Sequence, residues 1–442
     1  MPAAAMNFRN DFDPARKVVA VVGAGFGGLK FCQAFRSPHA ETVLLDRQNH
    51  HLFQPLLYQV ATAGLSAPEI AQPVRMIFAG RPHISILMEK VDGVDLTGQS
   101  LVIRGQEYHY DYLVLAVGGV TSYFGHPEWE KFAPGLKSLA DAGRIRNDIL
   151  NAIERAEAEA NPAELRRLLT FVIVGGGPTG VEMAGAIAEL TKRVLRRDFR
   201  HIDPTKARIV LIEGGPRILP TFHPTLSERA RKDLTQMGVE VRVNTRVKEV
   251  REGEVMLDGE ILAADTIVWA AGLQAAPLLA ALPVPKDRAG RLQVAPDCSL
   301  PGHPNVFAIG DCVSLTDAKG QVVPGVAQGA IQMGAQVAKI ITAELDAQTR
   351  KTPPPARKPF AYFDKGSMAT IGRARAVAQV GNFCFGGLFA WLLWLGLHLV
   401  FLVGLRNRLA VLLQWFYAYV IYRRGARIIW SQKTDTLPEP RH

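Results

Sequence analysis

Cysteine is scarce in this chain of 442 residues, and the four present, Cys32, Cys298, Cys312 and Cys384, lie scattered. No C-x-x-C occurs, which removes zinc knuckles and a dithiol redox centre from consideration. Cys32, on an apolar helix, reads as a small core residue. Histidine does not gather with carboxylates. His50 and His51 are adjacent, adjacent residues on a strand face opposite ways, and no metal site is expected there. The opening MPAAAMNFRNDFDP lacks a cationic start followed by an apolar core, so it does not read as a secretory signal. The bulk of the chain is expected in a reducing cytoplasm. The net charge is +10, yet no basic block interleaved with aromatics exists, so no nucleic-acid partner is expected. Arg406, Arg408, Arg423, Arg424 and Arg427 flank apolar runs instead, which suits an anionic membrane surface. An apolar content of 48% excludes global disorder, and the length leaves room for two or three domains.

What is present is organised around KVVAVVGAGFGGLKF, Lys17 to Phe31. The run Val18 to Val22 reads as a buried parallel strand. Gly23, Gly25 and Gly28 follow as G-x-G-x-x-G. They supply a tight turn, close approach of backbone to a pyrophosphate, and close packing of the next helix, whose N-terminus faces the phosphates. A second strand, Thr42 to Leu45, ends in Asp46, about 20 residues on, where an acid holds a ribose hydroxyl.

The device recurs. LTFVIVGGGPTGVEMAGAIAEL carries Gly175, Gly177 and Gly180 between a strand and a helix, and ARIVLIEGG ends in Glu213. The longer gap is filled by the basic insert 192–206. DTIVWAAG parallels DYLVLAVGG, so two dinucleotide modules stand in tandem. Between them, 138–160 reads as a helix with Glu154, Glu157 and Glu159 on a solvated face and Asn161-Pro162 as its stop. The stretch NHHLFQPLLYQVATAGLSAPEIAQP after Asp46 is aromatic-rich without a clean period, and such a loop must cover something flat or line a cavity. Late in the chain HPNVFAIGDCVS forms a strand ending in Gly310-Asp311, followed by a helical run, a Pro353–Pro355 break and the strand-like SMATIGRARAVAQVG. Gly386 to Leu405 is apolar except His398 and long enough to span a bilayer; Leu409 to Tyr422 is too short. Trp391, Trp394, Trp415, Tyr417, Tyr419 and Tyr422 fit an interfacial anchor. Hydropathy alone permits a span or a hairpin dip; the plain alternative is a helix pair buried in a dimer interface.

Two glycine modules plus a late Gly-Asp strand resemble the two-dinucleotide-binding flavoproteins. Within them, NHHLFQPLLYQVATAGL, GGGPTGVE, AIGD, AQGAIQ and DKGSMATIGR resemble type II NADH:quinone oxidoreductase, over Lys17 to Trp430. The implied fold is α/β, two tandem Rossmann-type domains plus a membrane-anchoring helical segment. The expected divisions are 15–165 and 291–350 for FAD, 166–290 for NADH and 356–442 for membrane association.

The resemblance implies a noncovalent FAD on Gly23, Gly25, Phe26, Gly27 and Gly28, with Asp46 and Arg47 at the ribose and Gln54, Gly118, Gly310, Asp311, Ala327 and Gln328 along the flavin. Asp311 also reads as a helix N-cap. NADH is expected on Gly175, Gly177, Pro178, Thr179 and Gly180, with Glu182, Ala271 and Gly272. Glu213 holds its ribose and disfavours a 2′-phosphate, although Arg217 lies nearby. Glu182 is expected to position groups or relay a proton; the plain alternative is a first-turn carboxylate favoured by the helix dipole. Gln54, Leu57, Tyr58, Gln328, Gln332 and Lys365 are the implied quinone contacts. Further implications are monotopic docking on the cytoplasmic face of the inner membrane, a homodimer, and respiratory electron transfer without proton pumping. The rivals are a sulfide:quinone oxidoreductase, which needs a cysteine pair near the flavin, a soluble ferredoxin or rubredoxin reductase, and a non-catalytic NADH-binding redox sensor.

Overall fold

The computed structural model describes residue 13, residues 15–421 and residues 425–430. Tyr422, Arg423 and Arg424 lie outside the described residues. The chain forms two compact units, each assembled from separated stretches: one from the chain up to His51, Gln72–Val120 and Leu273–Asp364, the other from Leu52–Ala71, Thr121–Gly272 and the chain from Lys365 on.

The first unit is built on the apolar strand Lys17–Val22, whose Val18 to Val22 are at most 6% exposed. It lies parallel between Ala40–Asp46, with Val22 beside Leu45, and Tyr112–Leu115, with Val22 beside Leu115. Ile84–Met88 extends one side and His303–Ala308 the other, both parallel, and Ser299–Leu300 closes the latter edge antiparallel. Two helices, Phe26–Ala34 and Ala327–Arg350, cross where both are glycine. A Cβ at Gly334 would collide with the Gly27 carbonyl, so the backbones nearly touch.

The second unit repeats the plan with a parallel sheet ordered Val239–Arg242, Arg208–Ile212, Thr170–Val174, Thr266–Trp269. Helix Pro178–Glu189 follows the glycine turn. Helix Leu139–Glu157 starts at a capping box in which Ser138 accepts from the Asp141 amide and Asp141 accepts from the Ser138 amide. Of its expected solvated face only Glu154 is exposed. Glu157 is half-buried because it accepts the amides of Arg200, His201 and Ile202 and so fixes the basic insert.

The boundaries therefore fall at 120/121 and 272/273 rather than 165/166 and 290/291. Residues 121–165 join the second unit because Trp269 donates its indole N–H to the Ser122 carbonyl and its amide to the Pro134 carbonyl. The C-terminal region packs within the second unit. Strands Ser367–Gly372, Arg375–Val380 and Phe383–Gly386 form an antiparallel sheet packed so tightly on helix Pro178–Glu189 that a Cβ at Gly185 would overlap the Ile371 carbonyl.

The apolar run Gly386 to Leu405 is not one helix. A strand ends at Gly386, the helix occupies only Leu388–Phe401, and Gly404, at φ +91°, turns the chain into a second helix, Leu405–Ile421. Fourteen residues reach roughly 21 Å, short of a ~30 Å hydrocarbon core. Among the described residues no helix is long and apolar enough to cross a membrane.

Candidate functional site

The two glycine turns are copies at atomic detail. Gly23 and Gly175 have φ of +107° and +111°, values that exclude a side chain, and a Cβ at Gly28 or Gly180 would collide with the carbonyl oxygen of Gly23 or Gly175. Asp46 accepts from the Ala24 amide at 2.6 Å and the Gln48 amide at 2.7 Å. Glu213 accepts from the Gly176 amide at 2.7 Å and the Gly215 amide at 2.6 Å. Each acid thus braces the turn it serves and keeps further lone pairs for a hydroxyl. Whether a dinucleotide fits is tested by the middle glycine of each turn. A Cβ at Gly25 or Gly177 would meet nothing within 4 Å, and no side chain caps either helix, so open space faces uncapped amides in both modules. Pro178, at the start of its helix, offers no N–H, and Thr179 beside it is half-buried.

In the first unit His51 Nδ1 lies 2.9 Å from the Ala24 carbonyl, and its ring meets Phe26 edge-on at 5.2 Å. His51 thus props the turn, His50 lies instead with Nδ1 3.0 Å from Asn49 Oδ1, and burial lowers both pKa values. Arg47 is exposed. Gly118 and Gly310, with φ of +66° and +82°, end neighbouring strands. Asp311 sits in the short turn Gly310–Cys312 and caps no α-helix; among the described residues its carboxylate has no hydrogen-bond or ion-pair partner. Helix Ala327–Arg350 likewise starts without a side-chain cap, at Val326.

Gln328 and Gln332, paired by the sequence, separate here. Gln328 Oε1 is buried and without a partner. Gln332 is occupied at both ends of its amide: Nε2 donates to the Phe363 carbonyl at 3.0 Å and Oε1 accepts from the Phe363 amide at 2.9 Å. Its place is in the brace of the connector, reinforced by Gln336 Nε2 on the Lys358 carbonyl.

The second unit corrects the loop after Asp46. Its apolar residues fold into turns and short helices, Gln54–Leu56, Leu57–Ala61 and Ala67–Ile70, because Leu56, Leu57, Tyr58 and Val60 are buried. Leu57, 2% exposed, is a core residue, and Gln54 is exposed with Nε2 on the Lys137 carbonyl. Tyr58 accepts from Gln59 Nε2 at 2.8 Å, and Gln59 Oε1 accepts from Trp415 Nε1 at 2.8 Å. Gln59, which the sequence reading passed over, therefore ties the loop to the tail. Lys365 is exposed, its ammonium 5.6 Å from the Phe401 ring centre.

Glu182 lines a cavity of about 40 Å³ with Tyr58, Gln59, Glu189, Arg373 and Tyr419. Burial among these groups pushes its carboxyl up to about 8, against the opposing pull of the Thr370 backbone. Burial thus favours the protonated form of the carboxyl, the form that can donate a proton. Burial, with the Glu182 charge added, raises the Tyr58 phenol well above its ordinary range. Ala271 is half-buried, and Gly272, at φ +74°, ends the strand; a Cβ there would press on the Ser122 carbonyl and Phe124. Arg217 gives an Nη2 hydrogen bond to the Pro220 carbonyl at 2.8 Å.

The tryptophans of the two tail helices face inward, whereas Tyr417 is exposed. Trp391, Trp394 and Trp415 are 8%, 1% and 4% exposed, whereas Leu405, Leu413 and Phe416 are 71%, 67% and 68% exposed. The exposed apolar face of the tail is thus made of leucine and phenylalanine rather than tryptophan. Half-buried His398 stacks on Trp394, and burial pushes it down to about 4, so the run carries no charge there. Arg427 pairs with Asp198 instead of standing free. Cys298 and Cys312 are buried, neither in a disulfide, and burial raises both thiols, which makes neither a nucleophile.

Fold and paired turns define the class: residues 17–334 match the pyridine nucleotide-disulphide oxidoreductase family. Residues 365–424 match the NDH2 C-terminal domain. The chain is 43% identical to the type II NADH:quinone oxidoreductase Ndh of Mycobacterium tuberculosis, over 95% of this chain and 92% of that one. It is also 43% identical to NdhA of the same organism, over 94% and 90%. A solved structure of NDH2 from Plasmodium falciparum in complex with NADH superposes with a TM-score of 0.84 at 20% identity, over 94% of this chain and 100% of that one, a likeness of fold. The chain belongs to the type II NADH:quinone oxidoreductase family.

Proposed function

We propose that this protein is a respiratory NADH dehydrogenase that passes electrons from NADH through noncovalent FAD to a membrane quinone, without pumping protons. The observation that carries this reading is the duplicated turn, open and uncapped in both copies, in a chain of this family. FAD would rest on Gly23 to Gly28, Asp46, Gly310 and Asp311, and bound FAD supplies two-electron, hydride-accepting chemistry. NADH would rest on Gly175 to Gly180 and Glu213. Gln328 is the quinone-side residue, its side-chain N–H2 the donor to a quinone carbonyl, and Glu182, whose proton burial holds well above the ordinary carboxylate range, is the proton donor. A second copy of the chain and the cytoplasmic face of the inner membrane are the proposed partner and location.

The test is anaerobic mixing. NADH should bleach the flavin and a quinone should restore it, and acid precipitation should release FAD into the supernatant. Bleaching by sulfide, or none restored by quinone, would overturn the reading. The lone buried cysteines favour the outcome with quinone.

Two further outcomes follow. Glu213→Gln should raise the NADH KM and narrow the preference over NADPH, because a charge-assisted contact to the ribose worth about 1.5–3 kcal/mol is lost. The new amide would also turn an N–H2 toward one of the two backbone donors that Glu213 now accepts. An unchanged cofactor ratio would remove Glu213 from the site. Replacing Leu413 and Phe416 together by glutamate should release the protein from membranes with FAD retained, since each exposed apolar side chain adds about 1.5–3 kcal/mol when buried. Sedimentation with vesicles at high salt reads the result; undiminished pelleting would place the anchor elsewhere.

A further inference from the structure

Helix Pro178–Glu189 is buried from Val181 to Leu190 except at two residues, Glu182 and Glu189. They are seven residues apart, so they share a face and stand roughly 10 Å apart along the axis. Between them on that face is Ala186, whose small side chain leaves the cavity open. Its ~40 Å³ has room for about three waters, on a scale where one water needs about 10–15 Å³. Glu182 stands at one end. At the other, Glu189 Oε1 accepts from the Arg373 amide at 2.5 Å and keeps part of its surface accessible. The charged or titratable groups around the cavity are these two acids, Tyr58 from the short loop helix, Arg373 from the hairpin and Tyr419 from the tail helix.

We propose that Glu189 is the intake of a proton path that crosses this cavity through water to Glu182. The inference rests on the reading of the protein as a quinone reductase. NADH delivers a hydride, two electrons with one proton, whereas a quinol carries two electrons and two protons, so each turnover draws one proton from water. Glu182 gives its O–H proton to the quinone as it is reduced and is left as a carboxylate. A cavity water reprotonates it and is resupplied from bulk water by way of Glu189, whose carboxylate relays the proton inward. Tyr58 is no substitute, since its phenol holds its proton far above neutral pH. Glu189 is on this account a positioning residue for the proton and touches no substrate.

The decisive measurement uses the FAD-loaded enzyme. Infrared spectra follow the Glu182 carboxylic C=O band, assigned by its disappearance in Glu182→Gln, as the protein is moved into deuterated water. Glu189→Gln should slow exchange of that band at least tenfold. Ala186→Leu, which plugs the cavity without changing charge, should do the same, and Glu189→Asp should restore exchange. Unchanged exchange in both Glu189→Gln and Ala186→Leu, with FAD retained, overturns the path. Turnover with quinone, divided by turnover with ferricyanide, which takes up no proton, should fall in Glu189→Gln and show a larger solvent isotope effect. Slowed exchange with an unchanged ratio would support the path and overturn Glu182 as the proton donor for quinone.

Discussion

Gly28→Ala is expected to yield a colourless protein, and Gly180→Ala a yellow one that NADH does not bleach. In each, the new Cβ falls on a backbone carbonyl, of Gly23 or of Gly175, which cannot turn aside as a side chain would. Strand and helix must part, and the turn that presents its amides opens with them. Overpacking of this kind costs typically about 1–3 kcal/mol and sometimes more; against a rigid backbone the upper end applies, at least a hundredfold in affinity. Absorbance of the purified proteins and anaerobic titration with NADH measure both. A Gly180→Ala protein that bleaches like the parent would move NADH away from the second turn. Flavin lost from Gly180→Ala and kept in Gly28→Ala would mean that the two modules have been assigned in reverse.

The second large effect separates two glutamines one helical turn apart. Gln328→Ala should slow re-oxidation of the reduced protein by quinone ten- to a hundredfold, since one hydrogen bond to a carbonyl gaining charge contributes about 1–3 kcal/mol to the barrier. Reduction by NADH should be untouched. Gln332→Ala should behave differently, because its amide bonds the Phe363 backbone at both ends. It should lower thermal stability, at about 0.5–1.5 kcal/mol for each bond, and leave the ratio of the two half-reactions in place. Single-turnover traces and melting curves distinguish them. A selective loss of the quinone step in Gln332→Ala would return that residue to the site.

Much of this arrangement was legible in the chain because the relevant constraints are local. G-x-G-x-x-G, the β-branched runs before it and the acid after it are set by sterics over some thirty to forty residues, and Asp46 and Glu213 each stand against their own turn. What was illegible is whatever a distant partner decides. Gln332 has the same spacing whether it faces a ligand or a backbone amide 31 residues away. Trp391, Trp394 and Trp415 look interfacial by composition, and only packing against Tyr58, Gln59 and the hairpin turns them inward. The long apolar run read as a possible span because hydropathy does not register the strand that ends at Gly386 or the positive φ at Gly404. Glu189 could have been noticed: Glu182, Ala186 and Glu189 fall at i, i+4 and i+7 in an otherwise apolar helix.

The order of strands also dictates an order of assembly. In the first unit, His303–Ala308 pairs with Tyr112–Leu115 across nearly two hundred residues, whereas the second unit's parallel sheet closes within Thr170–Trp269. During synthesis the second sheet can be complete while the first still lacks a flank, and the closure of so long a loop is entropically slow. Until residue 308 has emerged, Tyr112–Leu115 is a bare, wholly apolar edge, open to pairing with another nascent chain. Ribosomes stalled before that point would therefore release an aggregation-prone product, which makes the late Gly-Asp strand the lock on folding.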